Sequence, residues 1–76
     1  MKTEYEKKVS AAGDIMKFMG DLARKHTAVQ MRYLWRSMDG MIQRYGTVFV
    51  ADAIAKDRSS AILALWTFGK GRGIAG

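Results

Sequence analysis

The residues able to do chemistry are few and scattered. His26 is the single histidine and there is no cysteine, so a nucleophile, a base and an orienting group that meet in space are hard to assemble from this chain. His26 falls at an expected turn between two helices, where a solvated or capping imidazole is the ordinary reading. Asp14 and Asp21 could offer paired carboxylates, but on a helical wheel they lie on the polar side beside Lys17 and Arg24, the setting of surface ion pairs. Gly71, Gly73 and Gly76 have the GxGxxG spacing. That motif binds pyrophosphate only when it follows a strand and opens a helix, and here no helix follows it. Metal sites draw on several His, Cys or carboxylate ligands at set spacings, and none is visible. The sequence therefore predicts a protein that is not an enzyme and carries neither cofactor nor metal.

Binding remains, and the composition favours it. Thirteen Lys and Arg against seven Asp and Glu give a net charge of +6 on 76 residues, a positive field that attracts polyanions or acidic protein surfaces. Part of it is helix decoration, because Glu4 with Lys8, Asp21 with Lys25, and Asp52 with Lys56 have the one-turn spacing of stabilising pairs. A first contact stripe is predicted from Tyr33, Arg36, Gly40 and Arg44, recurring at three or four residues, with Arg32 beside them and Trp35 packing behind. Aromatic and Arg side chains dominate interface energetics, and a glycine among them admits close approach. The alternative is a plain solvated face with a half-packed tyrosine.

The elements that would hold this stripe follow from periodicity. Tyr5, Val9, Ala12, Ile15, Met16, Met19, Leu22 and Ala23 recur at helical steps over residues 3–25, with Phe18 at the seam and Gly13 and Gly20 at one edge. That apolar arc covers about half the wheel, more than one neighbouring helix would hide. Thr27 and Gln30 have capping-box spacing and start a second helix that runs to Tyr45, with Gly46 to turn the chain. Met31, Leu34, Trp35, Met38, Met41, Ile42 and Tyr45 share one face of it. Thr47 is the expected cap of a short helix over residues 48–56. Residues 47–50 are β-branched and aromatic enough for a strand, but no second strand exists to pair with them. Asp57 or Ser59 caps a last helix over residues 61–68, apolar almost all round. The absence of proline permits these long helices.

Together these features predict an all-α fold: an antiparallel helical hairpin with one or two short C-terminal helices, in a single domain over residues 1–68. Residues 69–76 hold four glycines and read as a flexible basic tail. At this size the core is marginal, and with no disulfide or metal to staple it, self-association is the remaining support. A symmetric homodimer is expected, with Met16, Met19, Met38, Trp66 and Phe68 at its interface. Methionines suit either an imperfectly shaped core or an adaptable binding face. Residues 1–22 hold no apolar run of signal-peptide length, and the uncharged stretch 59–69 is too short to span a bilayer, so cytoplasm is the default.

The segment 21–36, with Leu22 and Ala23 before a turn and Arg32 and Arg36 after it, resembles the helix-turn-helix of DNA-binding repressors over about a fifth of the chain. It departs from that pattern at Thr27, where the turn glycine is expected, and at Arg36, where a buried apolar residue belongs. The resemblance implies a DNA- or RNA-binding regulator. The reading favoured by the residues themselves is a protein-binding regulator, an inhibitor or adaptor that occludes a surface on a larger protein. Small non-catalytic chains of that kind occur among accessory proteins of phages and mobile elements.

Overall fold

The computed structural model describes residues 3–71, and the side chains to residue 69. Four helices follow one another: α1 (Glu4–Ala23), α2 (Ala28–Tyr45), α3 (Thr47–Lys56) and α4 (Arg58–Gly71). The all-α class is as expected, and residues 47–50 are helical.

Each boundary has a local cause. Thr3 and Glu6 form a capping box at the start of α1 that the sequence reading overlooked, and Thr27 with Gln30 forms the expected one at α2. Each box satisfies two backbone donors that a helix start would otherwise orphan. Gly46 turns the chain between α2 and α3 at φ 94°, which costs a glycine little and any other residue far more. Thr47 does not cap α3. Gly46 holds the cap position and no side chain bonds there, so Thr47 is the first helical residue. Asp57, not Ser59, caps α4: its carboxylate accepts from the Ser60 backbone N–H at 3.2 Å and from the Ser60 hydroxyl at 2.8 Å.

The helices pair at a distance along the chain. α1 packs chiefly on α3 and α2 chiefly on α4, while α1 and α2, joined by a short link, share the smallest contact of the five helix pairs that touch. Ile15, Phe18, Met19 and Leu22 of α1 meet Met31, Leu34 and Met38 of α2, Val50 and Ile54 of α3, and Leu65 of α4 in one core. Fully hiding a side chain of this size is worth about 1.5–3 kcal/mol. Phe18 is central to this core, where the wheel placed it at a seam. Met19 and Met38 are 0% and 1% exposed, so both fill the protomer's own interior and neither lies at a surface where a dimer interface could form.

Two further expectations are corrected. The predicted one-turn ion pairs give way to Glu4–Lys7 at 3.9 Å and to a long-range bridge from Arg58 to Asp21 at 2.9 Å. The latter ties the start of α4 to α1, and the same guanidinium lies 5.4 Å from the centroid of the Phe18 ring. The last helix also runs past residue 68: Gly69 is buried and α4 continues to Gly71. The rest of the expected tail lies outside the described residues.

Candidate functional site

The predicted stripe on α2 divides between two faces. Tyr33, Ser37 and Gly40, at steps of four and three, turn toward α4. The Tyr33 hydroxyl donates to the Trp66 carbonyl at 2.8 Å, its ring stacks on the Trp66 indole at 5.2 Å, and the Ser37 hydroxyl donates to the Leu65 carbonyl. Gly40 lies beneath Phe68, close enough that a Cβ there would stand 2.7 Å from the ring. Tyr33 and Gly40 are therefore corrected from partner contacts to the docking surface of α4. Ser37, fully buried and hydrogen-bonded, went unnoticed; its signal was a small polar residue at the centre of an apolar face, a position that demands an internal partner.

Arg32 and Arg36 do face outward, on the side of α2 opposite its buried arc, near Val29 at 67% exposure. Trp35, expected to pack behind them, is itself exposed, at 40%. No ion pair holds either arginine among the described residues.

Arg44 belongs to a different cluster. At the corner between α2 and α3 its guanidinium lies 5.7 Å from the Tyr45 ring centroid, and Tyr45 stacks on Phe49 at 5.5 Å with 27° between the planes. Tyr45 and Phe49 remain 47% and 60% exposed. The Gly46 bend is what brings them together, because it folds the first turn of α3 back on the last turn of α2.

His26, Asp21 and Asp57 each have a partner within the fold. His26 Nδ1 lies 2.8 Å from the Leu22 carbonyl and its ring leans on Trp66 at 5.9 Å. It closes the end of α1, which has no basic residue in its last turn. A cleft of about 210 Å3 between α2, α3 and α4 is lined by apolar side chains such as Met41, Val50 and Ile54, with Ser60 at its edge. Asp21 and Asp57 are each held below the ordinary carboxylate value, Asp21 by its hydrogen bond to Arg58 and Asp57 by its bonds to Ser60. Both are capping or bridging groups. Among the described residues no three His, Asp or Glu side chains converge as metal ligands, and no helix is long and apolar enough to cross a membrane.

Neither protein-family models, nor curated proteins, nor solved structures give a match to the chain. Two candidate surfaces are left by the geometry: the stacked Tyr45–Phe49 pair with Arg44 beside it, and a separate pair of arginines on the outer face of α2.

Proposed function

We propose that the chain is a non-enzymatic protein-binding regulator, a small cytoplasmic inhibitor or adaptor that acts as a homodimer and covers a surface on a larger protein. The Arg44–Tyr45–Phe49 corner carries this reading. Two aromatic rings stacked on each other and left half in water are costly to expose, and the stack fixes their orientation before any partner arrives. Side chains of these types, held in place in advance, lose little entropy on binding and concentrate interface energy. Arg32, Arg36 and Trp35, on another face of α2, would form a second contact.

The second reading is a nucleic-acid-binding regulator. It is favoured by the net charge of +6 and by the scarcity of ion pairs among the described residues, which leaves most cations available to phosphates. In that case Arg32 and Arg36 on α2 would be the groove-facing residues, as the helix-turn-helix resemblance implies.

One pair of experiments separates the readings. Affinity capture with the wild-type chain and with Arg44→Ala plus Phe49→Ala tests the first: a discrete protein recovered by the wild type and lost by the variant, at unchanged helicity, is the expected result. Equal recovery by both removes the corner from the site. Titration of a random duplex across a salt series tests the second: binding that weakens log-linearly with salt supports it, and no binding at low salt excludes it.

A further inference from the structure

The apolar arc of α1 is used only in part. Ile15, Phe18, Met19 and Leu22 are in the core, while Tyr5, Val9 and Met16 are 76%, 54% and 59% exposed, and Ala12 and Ala23 are exposed with them. Positions 5, 9, 12, 16, 19 and 23 alternate steps of four and three, the repeat of a helix seam that meets another helix side by side. Of these six only Met19 is claimed by the protomer. The rest form a line about 27 Å long at helical rise.

Gly13 and Gly20 lie along one flank of that line, seven residues apart. A Cβ added at either would meet nothing within 4 Å. Inside a helix each glycine costs about 0.8–1 kcal/mol relative to alanine, and nothing within the protomer uses the space. Elsewhere this chain puts glycine where a side chain presses on the backbone, Phe68 on Gly40 and Tyr33 on Gly69. At Gly13 and Gly20 the side chain that would press is missing from the protomer itself.

We infer that this seam pairs with the same seam of a second copy, the two α1 helices crossing antiparallel about a two-fold axis. Charge selects the occupant and the direction. Glu6 lies on the same flank as Lys17 and Arg24, near opposite ends of the helix. Antiparallel pairing brings like flank against like flank and sets Glu6 beside the partner's Arg24, twice over by symmetry, whereas parallel pairing keeps Glu6 and Arg24 at opposite ends of the pair and forms no such contact. The inference rests on the homodimer reading and is independent of the partner-binding corner. Of the expected interface residues it keeps Met16 and adds Tyr5 and Val9, while Met19 and Met38 are in the core and Trp66 and Phe68 pack on α2.

Sedimentation equilibrium over a concentration series tests it. The wild type should move from 8.5 kDa toward twice that mass. Met16→Arg, at an exposed position that leaves the core intact, should weaken association by at least about ten-fold with unchanged helicity. Gly13→Ala with Gly20→Ala should raise thermal stability of the monomer and yet weaken association. Arg24→Glu should weaken association a few-fold, and adding Glu6→Arg should restore it. A wild type that stays at 8.5 kDa overturns both the homodimer and the seam. A Met16→Arg variant that dimerises as well as wild type overturns the seam alone, and failure of the reversed charge pair to rescue overturns the antiparallel arrangement.

Discussion

Tyr33 and Trp66 hold each other by two independent contacts: the phenol stacks on the indole at 5.2 Å and its hydroxyl donates to the Trp66 carbonyl at 2.8 Å. Because Gly69 follows one turn after Trp66 on α4, with no Cβ to meet the phenol, the ring lies flat between the helices. This is the clamp that fixes α4 on α2. Tyr33→Phe keeps the stack and loses the hydrogen bond, so it should destabilise the fold by about 1 kcal/mol. Gly69→Ala should cost more, since the phenol must move; chemical denaturation of both variants checks the order.

Ser37 supplies the second fastening of the same helix pair. Its hydroxyl is fully buried and donates to the Leu65 carbonyl. Ser37→Ala should cost about 1 kcal/mol, whereas Ser37→Leu should cost about 1–3 kcal/mol by overfilling a closed interface. Equilibrium unfolding in urea distinguishes them, and a neutral Ser37→Leu would mean that α4 is free to move away.

The fold and the site were legible in the sequence to different depths. Helix ends were readable because they are local: Thr27 with Gln30 and the glycine at 46 each act on backbone within one turn. Helix partners were not, because α1 finds α3 and α2 finds α4 through packing between residues far apart in the chain, and no periodicity records which face meets which. Gly40 illustrates the limit well. It was expected to admit a binding partner, and the group that approaches it is Phe68 of the same chain. Likewise Met16 and Met19 share one apolar arc and one residue type, yet a rotation of 60° about the helix axis puts one in water and the other in the core.

The caps offer a direct test of that local logic. Thr27→Ala removes the side-chain acceptor for the Gln30 N–H and should cost about 1 kcal/mol, with the loss appearing first as fraying at the start of α2. Amide exchange at residues 28–31 is the measurement, and protection there unchanged from wild type would contradict the capping role.

Acid should loosen the fold through two named carboxylates. Asp21 and Asp57 are both held below their ordinary value of 3.8, by Arg58 and by Ser60 respectively. A carboxylate depressed in the folded state stabilises it above the unfolded pKa and loses that contribution as pH falls through the folded one. Thermal midpoints should thus be flat from neutrality to about pH 5 and fall below about pH 4. Asp57→Asn should shallow the acid fall. An unchanged slope in that variant would remove Asp57 from the account.

As proposed, the exposed aromatic corner is a protein contact. The most direct measurement places a photo-cross-linking amino acid at Phe49 and, as a control, at exposed Thr67 on α4, with irradiation in a lysate of the producing cell. One discrete protein adduct is expected from position 49 and none from position 67. Adducts from both positions alike, or only nucleic acid recovered at position 49, would contradict the proposal.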